Sequence, residues 1–189
     1  DHSGPTPMHY RQDALVAAAD VITQVRRIPD TLGERTVGTT GYIDAKPNSI
    51  NIIPEEVTFT WGFRDPEKAV IEEARERVLE EAEYAANREG IEWEYTDRHW
   101  TDPVQFSEQC IDAVQKAADD CGYDSMEIVS GAGHDAVHVA KEMDTSMVFS
   151  VSEDGKSHNE SEYTSWDDCY TAANTLANAA LNLATGDEQ

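Results

Sequence analysis

Val57-Thr58-Phe59-Thr60-Trp61-Gly62-Phe63-Arg64-Asp65-Pro66 runs straight into Glu67-Lys68-Ala69-Val70-Ile71-Glu72-Glu73-Ala74. Across this junction the apolar period changes from two to about 3.6. Val57, Phe59, Trp61 and Phe63 alternate with Thr58, Thr60 and Gly62, which reads as a strand with both faces partly covered. Ile71, Ala74, Val78, Ala82 and Ala85 then recur as a helical stripe, and Glu72, Glu73, Glu76, Glu80, Glu81 and Glu83 cover the rest. Pro66 suits the first helical turn and Gly90 the C-cap. Beyond it, Ile91, Trp93 and Tyr95 alternate with acids, as in a half-buried strand.

Upstream, residues 36–44 and 50–63 read as two strands joined by Lys46-Pro47-Asn48-Ser49. Before them, Leu15, Ala18, Ile22 and Val25 mark a helix that Pro29 stops. Helix-strand-strand-helix-strand is most of a ferredoxin-like βαββαβ sandwich, whose first strand would fall just upstream of His2. Residues 1–102 therefore read as one unit. Residues 103–189 follow another rhythm: a helix capped by Ser107 and ended by Gly122, a short strand at 126–129, and a helix over 134–141. A buried strand at 147–151 and an alanine-rich helix after Ser165, with Asp167 and Asp168 favourable at its N-terminus, complete it. This is an α/β pattern with too few strands for a free-standing sheet. The fold class expected is α+β followed by α/β.

Charge dominates the composition. Asp and Glu number 38 against 14 Lys and Arg in 189 residues, a formal net charge of −24. The acids are spread along helices and turns, so they do not form a disordered acidic tail. Nucleic acid and anionic membranes are poor partners for such a chain, because both need basic patches. No apolar run approaches a membrane span, and no signal peptide is visible. Self-repulsion at this charge density destabilises a compact state unless salt screens it. That favours a protein adapted to concentrated salt over an ordinary acidic cytosolic protein. Cys110, Cys121 and Cys169 have no CxxC spacing and point to free thiols in a reducing compartment, the cytoplasm. The chain begins at Asp1 and straight into a motif, from which a missing N-terminal part is expected.

The chemistry-bearing residues concentrate in two glycine- and serine-rich turns. Ser130-Gly131-Ala132-Gly133-His134-Asp135-Ala136 precedes the 147–151 run, and Asp154-Gly155-Lys156-Ser157-His158-Asn159 follows it. Glycine suits close approach of backbone to a ligand, and a turn histidine can meet a metal or a substrate. His158, after a strand, is a candidate zinc ligand or a solvated loop histidine. His134 and His138 have chelating spacing but lack the glutamate of a metalloprotease helix, so one functional and one surface histidine is the better reading. Asp135 reads as a cap or an orienting group. Arg64, at a strand end, suits a bidentate grip on a carboxylate or a pair with Asp65. Asn51 either ties its turn or meets a ligand. His2 reads as a frayed terminus from position alone, and His9 and His99 as surface residues.

Taken in order, four motifs resemble the amidohydrolase branch of the M20 metallopeptidase-like family: N-carbamoyl-L-amino-acid hydrolases, allantoate amidohydrolases and β-ureidopropionases. His2-Ser3-Gly4-Pro5-Thr6-Pro7-Met8 with Arg11-Gln12-Asp13-Ala14 is similar to the family's lid motif. Pro47-Asn48-Ser49-Ile50-Asn51-Ile52-Ile53-Pro54 with Phe63-Arg64 is similar to its substrate-carboxylate segment. The two histidine turns are similar to its C-terminal active-site loops, and Gly-Ala-Gly-His-Asp favours the carbamoylase branch over dipeptidases and aminoacylases.

The resemblance implies a ferredoxin-like lid (dimerisation) domain over 1–102 and the C-terminal α/β part of a metallopeptidase-like catalytic domain over 103–189. It implies His158 as a ligand in a two-metal centre of zinc, manganese or cobalt. It implies His134 and the Gly133 backbone lining the site and polarising the scissile carbonyl. Asn51 and Arg64 would hold the substrate carboxylate, and His2 would reach the active site of a partner in a homodimer. The substrate would be an N-carbamoyl or ureido acid. The family's bridging aspartate, catalytic glutamate and remaining ligands belong to a segment absent from these residues, and Trp61-Gly62 replaces an apolar-acidic pair. An inactive fragment acting in self-association, and a dipeptidase- or aminoacylase-like peptidase, are the alternatives.

Thermal melts from low to molar KCl are expected to show a melting temperature that climbs by several degrees. A melting temperature indifferent to salt would remove the halophilic reading.

Overall fold

The computed structural model describes residues 1–186. It separates into two units, Asp1–Pro103 and a second that begins at Val104.

The first unit is mixed α/β. Helix α1 spans Ala14–Leu32, strands β1 and β2 span Val37–Lys46 and Glu56–Arg64, and helix α2 spans Lys68–Glu89. Asp13 caps α1, its carboxylate accepting from the N–H groups of Leu15 and Val16. The buried stripe of α1 is Ala14, Ala17, Ala18, Val21, Val25, Ile28 and Pro29. It is rotated from the predicted one, so Leu15 lies partly exposed. Pro29 does not stop the helix. A proline removes the N–H that the carbonyl four residues back would accept. That carbonyl, Val25 O, instead faces Gly38 of β1, where an added Cβ would lie 2.4 Å away. Three further residues follow Pro29 in α1, and Gly33 N–H then closes on the Pro29 carbonyl.

The hairpin is a two-stranded antiparallel sheet pairing Val37 with Arg64 and Lys46 with Glu56. Between Thr39 and Tyr42 the register slips by one residue, because Thr39 faces Gly62 while Tyr42 faces Thr60. This is a bulge in β1. Val57, Phe59, Trp61 and Phe63 are half-buried, and Phe59, Trp61 and Phe63 pack on the cluster of Ala17, Val21, Val25, Ile28, Ala74, Val78 and Ala85. Thr58, Gly62 and Arg64 are exposed, so one sheet face is covered and the other is largely open.

Two strands predicted in this unit change. Residues 50–55 do not belong to β2. Ile52 instead forms a single antiparallel bridge with His2, flanked by Ser3 N–H to Asn51 O and Ile53 N–H to Asp1 O, both 2.9 Å. Helix α2 begins after Pro66, because Asp65 Oδ1 accepts from Glu67 N–H at 2.8 Å and turns the chain first. Gly90 ends it in the left-handed conformation, φ 68°.

Residues 91–95 form no strand. Their side chains fasten to α2 and β2 instead. The Trp93 indole donates to Glu83 at 2.8 Å and, with Asn87, holds that carboxyl below its usual range. Tyr95 stacks on Trp61 with ring centroids 5.6 Å apart and receives Arg75 at 5.4 Å over its face. Burial, and then its bond to Asp97, push the Tyr95 phenol up.

In the second unit, α3 (Glu108–Asp120) packs on α5 (Trp166–Thr185), with a short α4 (Ala136–Val139) between them in sequence. Ala117, Ala118, Thr175 and Ala179 are the buried contacts of α3 and α5. Ser165 caps α5 through a 3.0 Å bond from Asp168 N–H, as the sequence predicts. The strands predicted at 126–129 and 147–151 are absent. Ile128 and Phe149 remain 54% and 51% exposed. Apolar runs form strands only where a partner supplies a ladder, and among the described residues none does.

Gly38→Ala is expected to destabilise the protein by about 3 kcal/mol, since a methyl would meet the Val25 carbonyl and the Phe63 ring. Denaturant unfolding checks this, and a loss below about 0.5 kcal/mol contradicts the packing described.

Candidate active site

The two histidine turns of the second unit hold their imidazoles differently. His134 lies just before α4, and its Nδ1 accepts the Ala136 N–H at 2.9 Å. The cap role expected of Asp135 thus falls to the His134 ring, and Asp135 makes no side-chain cap bond. With Nδ1 accepting, the neutral ring carries its proton on Nε2 and presents an N–H donor. His134 and His138 do not share a helical face, because α4 starts at Ala136. At Gly133 an added Cβ would meet nothing within 4 Å, so its peptide is open to an approaching group.

His158 occupies the left-handed region, φ 56°. That conformation is uncommon for a residue with a side chain and is maintained by surrounding contacts. Here the His158 N–H donates to Glu162 Oε2 at 2.9 Å, and Asn159 Oδ1 accepts from Ser161 N–H and Oγ. Glu162 has no motif signal in the sequence. The side chains of His134 and His158 are both exposed. Among the described residues no three of His, Cys, Asp or Glu gather to hold a metal ion. His158 has no companion ligands in this stretch, so the donor set described does not fit a metal pair by itself. A groove of about 440 Å³ in the same unit is lined by residues such as Phe106, Ser107, Met143 and Thr145, and neither histidine lines it.

In the first unit the backbone brings two expected site residues together. The bridge of His2 to Ile52 sets His2 beside the Asn51–Ile53 segment. His2 is not frayed. Its Nδ1 accepts from Gly4 N–H at 3.0 Å and its carbonyl accepts from Thr6 Oγ1 at 2.8 Å. Asn51 is exposed, and its Oδ1 accepts from Ser49 Oγ at 2.8 Å, which ties the turn. Arg64 is exposed at the end of β2. The neighbouring Asp65 accepts from Thr36 Oγ1 at 2.7 Å and from Glu67 N–H. Arg11 is a residue whose role the spacing hides. It donates through Nη2 to Ser3 O at 2.6 Å and through Nε to Thr6 O at 3.1 Å.

Residues 4–182 match peptidase family M20/M25/M40. The chain belongs to that family. Among its M20 relatives is the N-carbamoyl-L-amino-acid amidohydrolase of Paenarthrobacter aurescens, 36% identical over 89% of this chain and 41% of the relative. The allantoate amidohydrolase of Bacillus subtilis is 32% identical over 87% of this chain and 40% of its own length. A crystal structure of a hydantoinase/carbamoylase family amidase from Burkholderia multivorans superposes with a TM-score of 0.90 at 39% identity, over 96% of this chain and 44% of that one. The chain thus spans less than half the length of these M20 relatives. No helix among the described residues is long and apolar enough to cross a membrane.

His158→Gly is expected to leave the fold intact and to stabilise it by up to about 1 kcal/mol, because glycine relieves the left-handed strain. His158→Val is expected to destabilise it by about 1–2 kcal/mol. Denaturant midpoints test both, and equal losses for the two variants would contradict a strained loop.

Proposed function

We propose that this chain is part of a metal-dependent hydrolase that cleaves a linear amide or ureido C–N bond in an N-carbamoyl amino acid or an allantoate-like acid. The carrying observation is the match along almost the whole chain to amidohydrolases of that chemistry. The backbone pairing of His2 with the Asn51 segment supports it, since two of the motifs meet there.

In this reading the first unit is the lid, a ferredoxin-like sandwich in the longer protein, through which two copies pair. Its helix-strand-strand-helix order and the two helices on the hairpin support the assignment. The second unit belongs to the catalytic domain. His158 contributes one imidazole to a centre of divalent metal, zinc, manganese or cobalt, whose other donors come from the remainder of a longer protein. Such a centre, when bound, supplies Lewis acidity and a hydroxide nucleophile.

The chain's own residues do the rest. Arg64 and Asn51 bind the substrate carboxylate by fork and amide. The Nε2–H groups of His134 and His2 and the open Gly133 peptide donate to the carbonyl oxygen as it gains charge. His2 acts across the dimer. The compartment proposed is the cytoplasm, in keeping with three thiols that form no disulfide.

In the full-length protein, chelation is expected to abolish hydrolysis of an N-carbamoyl-L-amino acid, and divalent metal to restore it. His158→Ala is expected to lower turnover about 100-fold or more. Undiminished activity in excess chelator overturns the proposal, and preferential cleavage of dipeptides turns it toward a peptidase. A tight two-metal isotherm for residues 1–189 alone would contradict the need for outside donors.

A further inference from the structure

The N-terminal turn contains a relay through one peptide unit. Arg11 Nη2 donates to the carbonyl of Ser3, and the N–H at the other end of that peptide, Gly4 N–H, donates to His2 Nδ1. The Ser3–Gly4 bond is trans, so its C=O and N–H point in opposite directions. Gripping the oxygen therefore aims the N–H. A cation on the carbonyl also polarises the amide and strengthens its donor end. Arg11 Nε closes the far side of the turn on Thr6 O, while Thr6 Oγ1 returns to His2 O. Gly4 leaves room for the ring, since a Cβ there would crowd it at 3.2 Å from His2 Cε1 and 3.4 Å from Nδ1.

We propose that Arg11 is a positioning residue for His2, fixing the Ser3–Gly4 peptide so that Nδ1 accepts and the imidazole proton stays on Nε2. Its importance for catalysis rests on the reading of His2 as a group that meets the substrate. The geometry of the relay does not.

The test is a through-hydrogen-bond nitrogen–nitrogen coupling between Gly4 N and His2 Nδ1, read on the 15N-labelled protein at alkaline pH, where imidazoles are neutral. It is expected in the unmodified protein and lost in Arg11→Met. Arg11→Lys keeps the charge but has no fork to span the Ser3 and Thr6 carbonyls, and is expected to keep the helical signal while weakening the coupling. His134, whose Nδ1 accepts from its own backbone, should stay unchanged in every variant and serves as the internal control. A missing coupling in the unmodified protein, or one undiminished in folded Arg11→Lys, overturns the proposal.

In the full-length protein Arg11→Lys is expected to lower kcat about 10-fold with KM little changed. A weakened coupling with normal turnover would keep the positioning and remove His2 from the reaction. An unaltered coupling removes the positioning whatever the turnover.

Discussion

Close packing of α1 on α2 is the constraint on which the first unit depends. Ala17, Val21, Val25 and Ile28 meet Ala74, Val78 and Ala85, small or β-branched side chains that allow the helices to approach. Val25 and Val78 are the largest fully buried side chains, so this core is thin and tolerates little change in shape. The hairpin completes it with Phe59, Trp61 and Phe63 from a single face. Gly38 lets β1 lie against the carbonyl that Pro29 leaves without its helical partner.

The N-terminal segment takes its order from that core. Asp13 caps α1, and the neighbouring Gln12 amide reaches the carbonyl of Gly90 at the end of α2. Arg11 gathers the preceding turn, and His2 and Ile52 join that turn to the loop before β2. A histidine directly after Asp1 is held by bonds that trace back, step by step, to helix ends packed on each other. Exposed groups such as His2 and Asn51 are thus preorganised by backbone rather than by burial.

The fold was legible where period and capping agree. The switch from β2 to α2, the Gly90 cap, the Gly122 end of α3 and the Ser165 cap follow from local rules that need no distant partner, whereas Ser107, though at the N-cap position of α3, makes no side-chain cap bond. It was illegible where the partner decides. Alternation at Ile91, Trp93 and Tyr95 signals a strand, yet Glu83, Arg75 and Trp61 offered those side chains other attachments. The apolar runs at 126–129 and 147–151 carry β propensity and lack a ladder among the described residues. Pro29 reads as a stop because sequence rules charge the lost hydrogen bond and cannot see the packing that offsets it.

The family can be read from the residues alone, because four motifs in fixed order survive whatever the chain packs against, and they single out the histidines, the arginine and the asparagine. Which of them meet is a matter of the fold. It joined His2 to the Asn51 loop, turned His134 onto its own backbone and bent His158 into a left-handed turn. Spacing records distance along the chain, whereas a hydrogen bond between Ser3 and Asn51 depends on where two helices and a hairpin carry those residues in space.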